Sequence, residues 1–181
     1  MKKFLMLPLA LIFACVLAGL YGVVHNQISY TVSPEYFHEF KFNQFRIEPN
    51  FQNRLGASLV GWHASWWMGL IIGTPVYFTA LFVRGNRLAI KVFLKAAMIV
   101  VMLTLLLGVT ALVIGYFSIS ETTLPSWMNG RNITNPVAFS RAGNMHNFSY
   151  LGGLVGLLSG LIFTIISAWK SRQREPITKI Q

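Results

Sequence analysis

The 181-residue chain is 54% hydrophobic and only 11% charged, against about 25% charged in ordinary soluble domains. That leaves too little polar side chain to cover a water-soluble surface, so lipid must cover part of the molecule. The net charge of +10 falls in short basic clusters beside apolar runs, a pattern of membrane orientation signals rather than of a nucleic-acid-binding face. The length suits one domain over residues 1–181. The lone cysteine, Cys15, permits neither an internal disulfide nor a CxxC redox centre.

Four segments are long and apolar enough to cross a bilayer, which takes about 20 residues of helix. They run over Phe4–Val24, Ala57–Val83, Ala96–Ser118 and Phe148–Trp169. Backbone groups in hydrocarbon must bond within their own segment, so the expected fold is all-α, an integral membrane bundle of four transmembrane helices. The basic start, apolar middle and small residues of "MKKFLMLPLALIFACVLAG" also allow span one to be a cleaved signal peptide ending near Ala18. "IFAC" is close to a lipoprotein cleavage box, with the bulky Phe13 fitting it poorly. Apolar sequence continuing to Val24 favours a retained helix.

Loop one, residues 25–56, opens with "HNQISYTVSPEYFHEFKF", which holds two of the four histidines and two of the five acidic residues of the chain. Within it "SPEYFHEF" reads as a helix start, with Ser33 as cap, Pro34 in the first position and Glu35 in the first turn. A helix there places Glu35, His38 and Glu39 on one face in the Glu-x-x-His spacing of di-iron bundles, although no second copy of that motif exists. The plain alternative is that Glu35 simply caps a helix. "EFKFNQFRI" reads as a short strand or an amphipathic segment on the membrane, with Phe37, Phe40, Phe42 and Phe45 holding loop one as a lid over the outer end of the bundle.

Span two carries His63, a polar group that in lipid marks a bundle interior or a watery cavity, and Thr74-Pro75, which predicts a kink. Trp62, Trp66, Trp67, Trp127 and Trp169 sit where aromatic anchors meet the headgroups, with Trp66 and Trp67 deep enough to wall a pocket. Arg84, Arg87, Lys91 and Lys95 fill the link to span three. With Lys2, Lys3, Lys170, Arg172, Arg174 and Lys179 they make ten basic residues on one side. Lys41, Arg46, Arg54, Arg131 and Arg141 make five on the other. The positive-inside rule then puts both termini in the cytoplasm of a bacterial inner membrane, and loops 25–56 and 119–147 outside. Of the acidic residues, only Glu175 is on the cytoplasmic side.

The second loop is rich in turn signals at Asn129-Gly130, Asn135-Pro136 and Ala142-Gly143. Its end brings Arg141, His146 and Asn147 to the start of span four, where Asn147 is a natural cap. Arg141 and Asn147 at a helix N-terminus are candidates to hold an anion or a cofactor carboxylate. Arg141 pairing with Glu35, Glu39 or Glu121 is the alternative. Span four has Gly152, Gly156 and Gly160 spaced four apart, a strip for close packing inside the bundle or for a homo-oligomer.

His25, His63 and His146 fall at a similar depth on three helices. Together with Glu35, His38 and Glu39 they form the candidate metal set, and mixed imidazole and carboxylate ligands suit zinc, iron, manganese or copper. Such a centre would support redox or hydrolytic chemistry on a small or lipid-soluble substrate. Two other functions fit the same residues: a small transporter or accessory subunit of a larger membrane complex, and a b-type haem protein with His63 and His146 or His25 on the iron. No P-loop, dinucleotide fingerprint, nucleophile elbow or HExxH motif is present.

Overall fold

The computed structural model describes residues 5–124, 126–128 and 132–173, with Trp127 described by its backbone alone. Phe4, the basic residues Lys2, Lys3, Arg131, Arg174 and Lys179, the acidic Glu175, the Asn129-Gly130 turn and the Trp127 ring lie outside the described residues. What is described is all-helical, with no strand among the described residues. Five helices carry the architecture: α1 (Leu7–Val32), α2 (Arg54–Ser65), α3 (Met68–Ala80), α4 (Asn86–Ser118) and α5 (Pro136–Gln173).

Three of them, α1, α4 and α5, are long and apolar enough to span a membrane. At 26, 33 and 38 residues and about 1.5 Å per residue, each exceeds the ~30 Å hydrocarbon core. Apolar side chains face outward along all of them, with Ile12 60%, Leu106 59% and Ile162 58% exposed. Water would penalise that surface and lipid tails do not. α4 and α5 begin at Asn86 and Pro136, ten and twelve residues before the predicted spans. Hydropathy marks where a helix enters lipid, and a helix already nucleated continues into the polar layer beyond it.

The second predicted span is two helices, interrupted at Trp66–Trp67. Both tryptophans keep right-handed helical dihedrals. Gly69 N–H bonds to Trp66 O and Leu70 N–H to Trp67 O, each at 3.0 Å, so a 3₁₀ turn joins α2 to α3. Pro75 sits inside α3, and the Thr79 hydroxyl donates to the Pro75 and Val76 carbonyls.

Glycines set the packing in two antiparallel pairs. α1 lies against α2 and α3: a Cβ at Gly22 would collide with the Gly61 carbonyl, and one at Gly69 would lie 2.5 Å from Ala14 O and Cys15 Cα. Eight residues along α1, from Gly22 to Ala14, thus run against eight residues the other way, from Gly61 to Gly69. α4 lies against α5 in the same way, with Gly152 facing Thr104 and Gly156 facing Val100. The span-four glycine strip is therefore occupied by α4 of the same chain.

Between α1 and α2, residues 34–44 form consecutive helical turns: Pro34–Tyr36, a π-turn over Phe37–Lys41, and Phe42–Gln44. Ser33 caps them through its hydroxyl, which accepts from Tyr36 N–H at 3.1 Å. The alternation that suggested a strand at "EFKFNQFRI" yields to this cap, because the π-turn that follows it bonds Phe42 N–H to Phe37 O and places the two rings on one side. Both are fully buried against Ala57, Val60, Phe139 and Ala142.

Candidate functional site

His25 on α1 and His146 on α5 stack edge to face with ring centroids 4.5 Å apart. Each imidazole bonds to a serine on the opposite helix. His25 Nε2 lies 2.9 Å from Ser149 Oγ, and His146 Nε2 lies 3.2 Å from Ser29 Oγ. The sequence folds this way because His25 and Ser29 are four residues apart on one helix while His146 and Ser149 are three apart on the other, so each pair shares a helix face. Crossing the two faces makes both bonds at once.

Asn26 orients the first of these histidines. Its Nδ2 donates to the Ala57 carbonyl of α2 at 3.0 Å, which turns Oδ1 toward His25 Nδ1 at 3.2 Å. An oxygen acceptor facing Nδ1 requires the proton there, leaving a lone pair on Nε2 in the neutral ring. In that tautomer Nε2 can accept the Ser149 hydroxyl proton. The hydroxyl's other acceptor is the Met145 carbonyl at 2.9 Å, to which it turns when Nε2 carries a proton. Among the described residues, the Tyr21 hydroxyl is the buried side-chain polar atom without a hydrogen-bond partner, and Ser149 is its polar neighbour.

These groups line one end of a cavity of about 600 Å³, open on one side. Tyr21, His25, Asn26, Lys41, His146 and Ser149 are part of the polar lining, which also includes Gln44, His63 and Thr104. Ile72, Phe93, Val101, Leu154 and Leu157 are among the apolar side chains that make up most of the rest. Lys41 is 7% exposed. Its ammonium donates to Gln44 Oε1 at 3.1 Å and lies 4.7 Å from the Phe40 ring centroid, with no carboxylate paired to it among the described residues. Burial pushes its pKa below the usual lysine range.

The predicted metal set does not assemble as a group. Of its six members, His25 and His146 touch, and His63 lines the same cavity from an exposed position on α2. Glu35 instead accepts the backbone N–H groups of Thr134 and Asn135 at the start of α5. Its partial burial raises the pKa, and the two N–H donors outweigh that and hold it below the usual carboxylate range. His38 is exposed and packs on Tyr30 and Phe42, and Glu39 is exposed. Among the described residues no group of three or more His, Cys, Asp or Glu side chains is placed to hold a metal ion. The serine bonds occupy the Nε2 atoms of His25 and His146.

Arg141 and Asn147 do not meet at a helix N-terminus as expected. Arg141 donates to the Gly115, Tyr116 and Ile119 carbonyls at 3.0 to 3.3 Å, so it caps the C-terminus of α4, where a cation is favourable. Asn147 lies exposed in mid-helix, because α5 already starts at Pro136 and Asn135 is its cap, bonding Ala138 N–H. Trp67 lines the cavity as expected of a pocket wall, and Trp66 does not.

Ser29, Asn26, Ser149, Tyr21 and Lys41 were not singled out from sequence. The two serines carried a signal, since each stands one helical turn from a histidine. Comparison with known proteins finds no matching family model, no matching curated protein and no matching solved structure.

Proposed function

We propose that this is a four-crossing protein of a bacterial inner membrane, both termini cytoplasmic, whose cavity binds a lipid-borne amphiphile with an anionic head. Support for the fourth crossing comes from α2 and α3. Together they run about 40 Å at 1.5 Å per residue and pack antiparallel along α1. The same packing favours retention of α1 as a helix of the bundle.

Lys41 carries the ligand reading. A buried cation without an acidic partner is costly, and in a bundle such a group marks a binding site. An acyl chain fits the apolar part of the cavity, and a carboxylate or similar head at the polar end completes the Lys41 charge. Scintillation-proximity binding of tritiated palmitate to the detergent-purified protein tests this. Saturable binding is expected, displaced by unlabelled palmitate and weakly by its methyl ester. Gly153→Phe should abolish it, because Gly153 lines the cavity and an added Cβ there meets nothing within 4 Å, which leaves the ring free to fill the space. Binding that is unsaturable, or unchanged by Gly153→Phe, refutes the reading.

A metal centre is the second reading, favoured by three histidines lining one cavity. It requires His25 and His146 to exchange their serine bonds for a metal. Metal analysis of purified protein, with and without His63→Ala, decides it. Absence of stoichiometric metal removes it.

A further inference from the structure

We propose that Ser149, His25 and Asn26 form an acyl-transfer site that hydrolyses the carboxylic ester of a lipid-borne acyl chain. The proposal rests on the reading that the cavity takes such a chain, and it names the chemistry done there.

Three observations converge on it. First, Ser149 Oγ, His25 Nε2, His25 Nδ1 and Asn26 Oδ1 follow one another at 2.9 and 3.2 Å, with a polarity fixed by the Asn26–Ala57 bond. This is nucleophile, base and orienting acceptor in series. Second, the series opens on the cavity: Ser149, His25 and Asn26 all line it. Third, the unpartnered Tyr21 hydroxyl stands beside Ser149, where a donor would stabilise an oxyanion. The companion pair His146–Ser29 provides an internal contrast. Ser29 is fully buried and does not line the cavity, and among the described residues no side chain bonds to His146 Nδ1. Simple helix-to-helix adhesion would not distinguish the two pairs.

The reaction closes as follows. Ser149 Oγ attacks the ester carbonyl carbon, its proton passes to His25 Nε2, and the carbonyl oxygen takes the negative charge beside the Tyr21 hydroxyl. The C–O bond to the alcohol breaks, and that oxygen takes the proton from Nε2. Water then attacks the acyl-serine carbonyl, giving its proton to His25. The C–Oγ bond breaks, the proton returns to Ser149, and a fatty acid leaves that ionises into the carboxylate Lys41 would hold.

Hexadecyl fluorophosphonate, whose phosphorus mimics the tetrahedral carbon, tests this on the full chain in detergent, with mass spectrometry to locate the adduct. Covalent labelling at Ser149 is expected, absent in Ser149→Ala. His25→Gln should slow labelling at least about 100-fold, the scale of a general base. Asn26→Ala should slow it and shift its pH profile, and Asn26→Asp should slow it less than Asn26→Ala, because a carboxylate accepts the same Nδ1 proton although it cannot donate to the Ala57 carbonyl. Each variant is checked for the wild-type size-exclusion profile, and Ser149→Ala removes a single atom. No labelling by wild-type protein that still binds palmitate overturns the acyl-transfer site and leaves the binding reading standing. An adduct on a residue other than Ser149 also overturns it. Failure of both labelling and palmitate binding overturns both.

Discussion

Gly69→Ala is the most informative single change to the bundle. An added Cβ would stand 2.5 Å from Ala14 C and O and Cys15 Cα, all backbone atoms that cannot swing away, where ordinary contact needs 3.4 Å or more. α1 and α3 must therefore part by about 1 Å, a gap that forfeits a quarter to a half of each dispersion contact along that crossing. Overpacking of this kind costs about 1–3 kcal/mol, against a helix-propensity gain for alanine of about 0.8–1 kcal/mol. The net is about 0–2 kcal/mol destabilising, a loss of up to roughly 8 °C in Tm for a chain of this size. Gly153→Ala makes the same chemical change where a Cβ meets nothing within 4 Å, so only the propensity gain remains and Tm should hold or rise. Cys15, the single thiol, provides the assay, since a thiol-reactive dye reports its exposure on heating. Equal shifts for the two variants, or a smaller loss at Gly69, would refute the close α1–α3 approach.

Three further outcomes follow from other residues. Glu35 has a folded-state pKa below its unfolded value, so its contribution is complete above the ordinary glutamate range and is lost as pH falls through the lowered value; Tm measured from pH 6 down to 3 should drop in wild type and drop less in Glu35→Gln. Lys41→Met should raise Tm, since it removes a buried cation with no carboxylate partner among the described residues, while palmitate binding falls; a fall in Tm would show that the Gln44 bond and the Phe40 ring satisfy Lys41 within the fold. Ser33→Ala removes the cap on the Tyr36 N–H and should cost about 1 kcal/mol, visible in the same thermal assay, with no loss indicating that Pro34 alone sets that turn.

The membrane character and the helical class were legible because apolar runs and glycine spacing are one-dimensional signals. Ser33 and Pro34 likewise announced the helix start they make. Helix ends were less legible, as α5 shows: its polar first turns from Pro136 read as loop because no lipid-facing residues mark them. The site was half legible. His25 and His146 were placed at one depth by topology, yet their partners depend on which faces of α1 and α5 meet, and that follows from glycine contacts between helices distant in sequence. Arg141 was misread because its acceptors are the last carbonyls of α4, which carry no side-chain signature. Glu35 shared a predicted face with His38, but the carboxylate was drawn away by two backbone N–H groups nearly a hundred residues downstream.

The most direct test of the account is where a fatty acid sits. A palmitate carrying a photoreactive diazirine along its chain, bound to the purified protein and illuminated, should crosslink to cavity residues such as Val101, Leu154 and Leu157. The crosslinks should disappear in Gly153→Phe and with excess palmitate. Crosslinks confined to outward-facing residues such as Phe82, Met102 and Ile165, unaffected by either treatment, would mean that the fatty acid only coats the bundle, and would contradict the cavity as a ligand site.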